Sequence, residues 1–197
     1  MIFEEIKKYL PQYLSIDDTK KLFNELKNFP YNIHQRFYAA IEGNIIYQGD
    51  GIEGIPAFQL PNTQSKISQS MAISNTCDMD IQNKRNIPMR ILFSQIISLG
   101  KIEKSLLETN IPKDKISNYI ESIRQQKVTN AFYLPKGSKI EESVVFFDYT
   151  NSFDIHFIDR ETIKDKKLFS LSDYGFYILL LKLSIHFTRI QEKVNRN

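Results

Sequence analysis

The segment Ser74-Asn75-Thr76-Cys77-Asp78 carries a dense set of reactive side chains. It places two hydroxyls, an amide, a thiol and a carboxylate directly after a segment whose apolar residues alternate as in a strand. Polar residues at such a position can line a cleft, because the chain leaves the sheet there. The same residue types also form Asx turns and caps, and a lone cysteine is usually a small buried hydrophobe. A functional role and a purely structural role of this segment are therefore both open.

A cysteine nucleophile would need a histidine close in space. The chain has three histidines, and His156 shares a strand face with Asp154 by the period of two. A thiol hydrolase built on Cys77, His156 and Asp154 is therefore one hypothesis. The sequence has no H-E-x-x-H and no C-x-x-C motif, and Asp78 and Asp80 fit a solvated turn as well as a hard cation. We expect no metal and no cofactor.

Composition and charge exclude several classes of protein. The 197 residues are 42% hydrophobic and 25% charged, which excludes bulk disorder, and a single cysteine excludes an internal disulfide. The net charge is +3, but the sequence has no concentrated basic block of the kind typical of a dedicated DNA-binding domain. The segment from Lys164 to Lys167 fits a solvated turn. The first ten residues lack an apolar signal core, and the apolar run from Tyr174 to Phe187 is too short to span a membrane. We expect a cytoplasmic protein.

Two patterns divide the chain into an extension and a main domain. Ile2, Ile6 and Leu10 recur at helical spacing, and Leu22, Leu26 and Phe29 form a second stripe that ends at a proline. These patterns predict an N-terminal helical extension over residues 1–30. Residues 31–197 are then a single domain, with a helical hairpin inserted at residues 94–128.

The main domain has the patterns of an α+β fold. We predict a hairpin of Arg36 to Ile41 with Ile45 to Gln48, followed by a loop from Gly49 to Ser65. Five further strands are expected, at Lys66 to Ser74, Ile87 to Phe93, Ala131 to Leu134, Val144 to Tyr149 and Phe153 to Asp159. A tight turn at Thr150-Asn151-Ser152 joins the last two strands, and Ser172 caps the last helix. Together these elements predict a small antiparallel SH3-like β-barrel with N-terminal helices, the inserted helical hairpin and a C-terminal helix.

The order of several short motifs resembles a known group of proteins. In chain order they are Tyr47-Gln48-Gly49-Asp50, Ser74-Asn75-Thr76-Cys77-Asp78, Phe132-Tyr133-Leu134-Pro135, Val144-Val145-Phe146-Phe147-Asp148, Leu171-Ser172 and Arg189. The pattern resembles uncharacterised bacterial proteins with a Ser-x-Thr-Cys-Asp signature. It is more distantly similar to the MazF/PemK toxins, whose SH3-like barrel opens with a Gly-Asp. The resemblance covers about residues 45 to 190.

The resemblance implies an activity and a set of site residues. MazF/PemK toxins are metal-independent endoribonucleases that are often paired with an antitoxin. The segment Ile87 to Phe93 is similar to the family's strand before its catalytic Ser or Thr, which places Ser94 in that role. The family's Arg-Pro is replaced by Gln64-Ser65-Lys66, so charge stabilisation would fall to Arg90 or Lys66. The candidate catalytic residues are Ser74, Thr76, Cys77, Asp78, Arg90 and Ser94, and the candidate binding residues are Tyr47, Asp50, Lys66 and Asp148.

The sequence supports two main functions. The first is a non-catalytic or degenerate MazF/PemK-like module that binds a partner protein, in a bacterial toxin–antitoxin or phage-defence system. The partner would dock on the amphipathic helices at Phe3 to Asn28 or Ile96 to Ile123. The alternative is a metal-independent endoribonuclease-like toxin that binds RNA around Ser74 to Asp78. We favour the first, because the missing arginine removes the expected means of stabilising a scissile phosphate.

Overall fold

A seven-stranded antiparallel sheet forms the centre of the fold. The computed structural model describes residues 17, 20–21, 24, 26–34, 36–41, 43–59, 61–83, 85–87 and 89–188. The strands are β1 (Tyr38–Ala39), β2 (Gly51–Gln59), β3 (Asn62–Ala72), β4 (Arg90–Ser98), β5 (Ala131–Leu134), β6 (Ser143–Asp154) and β7 (Lys167–Leu171). They lie in the order β1-β7-β2-β3-β4-β6-β5, and every pairing is antiparallel.

Helices follow β4, β6 and β7. They are α1 (Leu99–Leu107), α2 (Lys113–Arg124), α3 (Ile163–Lys166) and α4 (Asp173–Thr188), and single 3-10 turns occupy Thr76–Met79 and Ile155–Phe157. The predicted α+β class, the helical hairpin of α1 and α2 and the C-terminal helix are confirmed. The predicted helix over residues 2–10 lies outside the described residues. Part of the second predicted helix is described, and it is helical at residues 17, 20, 21, 24 and 26.

The sheet has a hydrophobic core on each face. The larger core includes Ile120 and Ile123 of α2, Phe132 of β5 and Leu179 of α4. The smaller core lies within the curl of β2, β3 and β4 and includes Ile52, Ile91 and Phe93. The apolar stripe of α2 is therefore buried in this protein's own core, and the partly buried Ile102 and Leu106 of α1 pack against that core. The hairpin thus does not leave its main stripe free for a partner.

The sheet is curled but open. Among the described residues, no backbone ladder joins the edge strands β1 and β5, so the predicted SH3-like barrel is not confirmed. Side chains still connect strands that are not neighbours. The Tyr38 hydroxyl of β1 donates to the Pro135 carbonyl at 2.6 Å. Asn151 of β6 accepts from Phe58 N of β2 at 2.9 Å and donates to Phe58 O at 3.2 Å.

The loop predicted from Gly49 to Ser65 is wrong, because most of this segment is β2 and the start of β3. The glycines have other uses. A Cβ on Gly51 would overlap the Phe169 ring of β7, and Gly54 adopts φ +83° where the β2–β3 register shifts between Glu53 and Ile55. Glycine within a strand marks a close approach or a bulge as well as a turn.

Several other boundaries also differ from the prediction. Residues 150–152 do not form a turn but lie within β6, and residues 94–98 belong to β4 rather than to the inserted hairpin. The predicted hairpin near residue 40 is reduced to β1, which pairs with β7. Strand β7 was not predicted, because its first residue, Lys167, ends a lysine-rich run. No helix in the described part of the chain is long and apolar enough to cross a membrane.

Candidate binding groove

The motif residues Thr76 and Cys77 line a groove between two turns and the start of α4. The groove encloses about 560 Å³ and is lined by Tyr47, Gln48, Asn75, Thr76, Cys77, Leu171, Ser172, Asp173, Phe176 and Leu180. Its wall on the α4 side is mainly apolar, and the opposite wall presents neutral polar side chains. We call it the α4 groove. Three of the predicted site residues, Tyr47, Thr76 and Cys77, meet there.

Local hydrogen bonds build the polar wall. The Asn75 side chain caps the 3-10 turn by accepting from Cys77 N at 2.9 Å. The Thr76 hydroxyl accepts from Gln48 N at 3.0 Å, and the Gln48 amide donates to Ile73 O at 2.8 Å. These contacts fasten the turn at residues 47–50 to the end of β3. Asx and hydroxyl caps of this kind explain why the motif is rich in short polar residues.

The turn at residues 47–50 packs against Leu171 and α4 at Gly49. Gly49 adopts φ +92°, and its N donates to Ala72 O at 2.8 Å. A Cβ at this position would lie 2.5 Å from Leu171 Cδ1 and 3.1 Å from Leu179 Cδ2. Glycine is required both by the left-handed backbone and by the contact with these leucines.

The helix wall is positioned by Ser172. Its hydroxyl accepts from Gly175 N at 3.2 Å, as expected of a residue that caps a helix, and also donates to Arg36 O. Its backbone N donates to Phe37 O at 3.0 Å. Phe176 and Leu180 follow at a spacing of four residues, so both side chains lie on the same face of α4. The predicted helix cap at Ser172 is therefore present, and the helix presents an apolar face to the groove.

A buried ion pair lies behind the groove. Asp50 and Lys167 are both 0% exposed, and Lys167 Nζ lies 2.8 Å from Asp50 Oδ2. Asp50 Oδ2 also accepts from Tyr47 N at 3.0 Å, and Lys167 Nζ lies 5.2 Å from the centre of the Tyr47 ring. Tyr47 thus connects the groove surface to the pair. Asp50 acts as an internal anchor of the turn.

Three further residues of the predicted catalytic set are held by internal partners. The Ser74 hydroxyl accepts from Leu92 N at 2.9 Å and so extends the pairing of β3 with β4. Asp78 forms an ion pair with Arg85. The Arg90 guanidinium donates to the Ser152 hydroxyl at 2.7 Å and to Ser152 O at 2.8 Å. Each of these polar groups therefore has a structural partner.

The remaining predicted residues lie elsewhere. Ser94 is buried and donates to Phe146 O at 2.6 Å. Asp148 accepts from the Asn130 amide at 2.6 Å and lies 3.6 Å from His186 Nε2. Lys66 is exposed on β3, opposite Ala57. Of the candidate site residues Ser74, Thr76, Asp78, Arg90 and Asp148, only Thr76 lines the α4 groove.

The groove's charge limits its chemistry. The residues that line it include one carboxylate, Asp173, and no histidine, lysine or arginine. Cys77 is exposed, but His156 and Asp154 do not line the groove with it. Instead, Asp154 caps the second 3-10 turn by accepting from His156 N at 2.9 Å. The lining therefore supplies no histidine to pair with the thiol and no cation for a phosphate. Among the described residues, no group of three or more His, Cys, Asp or Glu side chains could hold a metal ion.

No family model matches the chain, and a search of curated proteins finds no match.

Sequence reasoning missed Phe176 and Leu180 of the apolar wall and Lys167 of the ion pair. Phe176 and Leu180 belong to a helix that is apolar nearly all round, so periodicity alone does not separate its groove face from its core face. Lys167 carries no sequence signal of burial, because three of the four residues from Lys164 are lysines. The one signal for the apolar wall is the i, i+4 spacing of Phe176 and Leu180 just after the helix cap at Ser172.

Proposed function

We propose that this protein is a non-catalytic MazF/PemK-like module that binds a partner protein in the α4 groove. One observation carries the proposal: the predicted catalytic side chains Ser74, Asp78, Arg90 and Ser94 are engaged by internal partners, while the groove has an apolar wall. Apolar concave surfaces with a few polar groups are typical of recognition sites. The ligand would be a partner segment that buries apolar side chains against Leu171, Phe176 and Leu180.

The proposal also covers the fold of the curled sheet. In it, the curled sheet is an SH3-like barrel left open between β1 and β5. The Asn151 amide supports this, because it bonds both the N–H and the C=O of Phe58 as a neighbouring strand would. A toxin–antitoxin or phage-defence setting in the bacterial cytoplasm belongs to the same proposal. That part depends on the resemblance over residues 45 to 190 alone.

The RNA-cleaving alternative has less support. It assigns phosphate binding to Arg90 or Lys66, but neither lines the groove with Thr76 and Cys77. The Arg90 guanidinium makes two hydrogen bonds to Ser152, which fix it across β4 and β6. Cleavage without a cation near the scissile phosphate would lose the main source of charge stabilisation.

A matched pair of substitutions tests the groove. Tagged full-length protein is expressed in its native host, cross-linked and recovered, and the partner is identified with the wild type. Leu180→Asp places a carboxylate in the apolar wall and should remove the partner. Ile185→Asp makes the same change at an exposed position of α4 outside the groove and should retain it. Circular dichroism and thermal melting confirm that both variants are folded.

The same preparations decide between the two functions. The proposal expects mixed cellular RNA to stay intact at high protein concentration and to show no gel shift. Retention of the partner by Leu180→Asp would contradict the groove assignment. RNA cleavage that disappears in Arg90→Gln would support the endoribonuclease instead.

A further inference from the structure

The edge strand β1 presents backbone groups that are not paired by any residue in the described part of the chain. Its register pairs Tyr38 with Leu171 and Ala39 with Ser170, and Ser172 N donates to Phe37 O at 3.0 Å. In an antiparallel pair, successive residues turn their N–H and C=O alternately toward and away from the partner strand. Phe37 and Ala39 therefore face β7, and Tyr38 directs both backbone groups to the open side. Such an edge is a template for an added strand.

The opposite edge of the sheet is already blocked. Tyr133 of β5 donates its N–H to the Gln126 side chain at 3.0 Å and accepts from the same amide at 2.8 Å. A single glutamine therefore occupies the backbone groups that an added strand would use. Covering an edge in this way is a common protection against unwanted pairing. No described side chain does the same for the backbone of Tyr38.

A groove runs along the exposed edge of β1. It encloses about 500 Å³ and lies between residues 38–41 on one side and residues 137–139 on the other, with α3 and β7 completing it. The Tyr38 side chain reaches the segment after β5 by its bond to Pro135 O. The Tyr38 ring also lies against Gly137, so the groove runs beside this contact. We call this groove the β1 seam.

The walls of the β1 seam carry more positive than negative charge. Lys139 and Lys164 line it, against the single carboxylate of Asp165. All three residues are exposed, so these charges face a solvated space. Lys139 Nζ also donates to Lys167 O at 3.1 Å, which holds its side chain across β7. An occupant with a carboxylate would be complementary to this wall.

We propose that the β1 seam binds an extended segment of a partner protein as an eighth strand, with an acidic side chain of that segment facing Lys139 and Lys164. The Tyr38 N–H and C=O supply main-chain hydrogen bonds, and so does the Ala40 N–H, which faces the same side by the alternation of an antiparallel edge. This site is separate from the α4 groove, and the two share no lining residue. It therefore stands or falls independently of the function proposed above.

Peptide selection tests the seam with a defined probe. Random twelve-residue peptides displayed on phage are selected on the full-length protein, and the best binders are synthesised. The proposal expects them to be extended and to contain Asp or Glu. Methylating backbone nitrogens at alternate positions should weaken binding by roughly three- to tenfold per lost hydrogen bond, while methylation at the intervening positions should not.

Substitutions in the protein locate the bound peptide. Ala40 is exposed, and no described residue accepts a hydrogen bond from its N–H. Ala40→Pro removes that donor at a position where an edge strand tolerates proline, and it should reduce affinity about tenfold or more. Ala40→Val keeps the N–H and should bind as the wild type does. Lys139→Glu with Lys164→Glu should abolish binding of the acidic peptides, and Leu180→Asp should leave it unchanged.

Four outcomes would overturn the proposal. The first is a selection that yields no binding peptide, and the second is peptide binding that backbone methylation does not weaken. The third is peptide binding that Leu180→Asp abolishes but Ala40→Pro does not. The fourth is a wild-type dimer that Ala40→Pro converts to a monomer. The last would assign the edge to a second copy of this chain. Capture of a partner in the Leu180→Asp and Ile185→Asp experiments would not support the β1 seam, since those experiments test the α4 groove.

Discussion

At the scale of single residues, the polar positions that suggest catalysis satisfy backbone groups. Ser94 shows this most clearly, because it is fully buried beside an irregular part of β6. The β4–β6 register jumps from Ser94↔Thr150 to Ile96↔Val145, which leaves carbonyls of the bulged strand without ladder partners. The Ser94 hydroxyl donates to Phe146 O, and Thr150 Oγ1 donates to Phe147 O at 2.8 Å. A hydroxyl in a strand can therefore serve to satisfy a carbonyl that lacks a ladder partner, and its presence alone does not indicate catalysis.

Removing the Ser94 hydroxyl should therefore reduce stability. Ser94→Ala removes the donor to the carbonyl of the partly buried Phe146, which should cost about 1–3 kcal/mol of unfolding free energy. Ser98→Ala is the control, because the Ser98 side chain makes no cap hydrogen bond and the residue is only partly buried. Urea unfolding should show a change within about 0.5 kcal/mol for the control. Equal stability of the two variants would show that the buried bond contributes nothing.

At the scale of elements, two charged side chains tie helices to the segments that pack beside them. Arg124, at the end of α2, pairs with Glu142 through bonds of 2.8 and 2.9 Å, and these bonds hold the pKa of the Glu142 carboxyl below its ordinary value. Lys182 of α4 donates to Gln126 O at 2.9 Å and to Val128 O. It thereby ties α4 to the chain that leaves α2, where Gln126 adopts φ 56°.

The Lys182 contact predicts a pH dependence of stability. Burial lowers the pKa of Lys182 from 10.5 to about 8. Between these values the unfolded chain holds more protons than the folded one, so the unfolding free energy should rise as the pH rises from about 8 toward 10.5. Urea unfolding at about pH 7.5 and about pH 9.5 measures the rise, below the range in which tyrosines ionise.

Two variants assign that rise to one residue. Lys182→Met removes the buried ammonium and should remove much of the increase in unfolding free energy. Lys101→Met alters an exposed lysine of α1 and should keep it. A rise of the same size in Lys182→Met would show that the proton is bound elsewhere.

The elements differ in how well sequence patterns predict them. The α1–α2 hairpin and β5 follow from periodicity and from Pro112, because their apolar faces are distinct. Strand β2 was missed, because Gly51 and Gly54 are typical of a loop but serve here in a close contact and a bulge. Residues 150–152 are typical of a turn, yet Asn151 uses its amide to bond another strand. Tertiary contacts of this kind are not encoded in local spacing.

At the scale of the whole molecule, the sheet curls around the smaller core, and Asn151 joins two strands across the curl. Asn151→Ala removes both bonds to Phe58 and should lower the unfolding free energy by about 1 kcal/mol, since the site is exposed. Hydrogen exchange at the Phe58 amide should accelerate. Asn44→Ala, at an exposed position whose side chain makes no bond in the described part of the chain, is the matched control. Unchanged exchange at Phe58 in Asn151→Ala would show that the bridge does not maintain the curl.

The groove was only half predictable from sequence. The polar wall follows from the density of the Ser74–Asp78 motif, which ends β3 as expected. The apolar wall requires knowing that α4 returns to lie beside that motif, a long-range contact made through Gly49, Leu171 and Leu179. The buried Asp50–Lys167 pair requires knowing that β7 is a strand beside β2.

Hydrogen exchange on the complex with the captured partner tests the central claim most directly. Exchange is compared between the free full-length protein and the complex, under identical conditions. The α4 groove predicts slower exchange in three segments, residues 47–50, 75–79 and 173–180, with no change in α1 and α2. Protection confined to the α1–α2 hairpin, with the three groove segments unchanged, would contradict it.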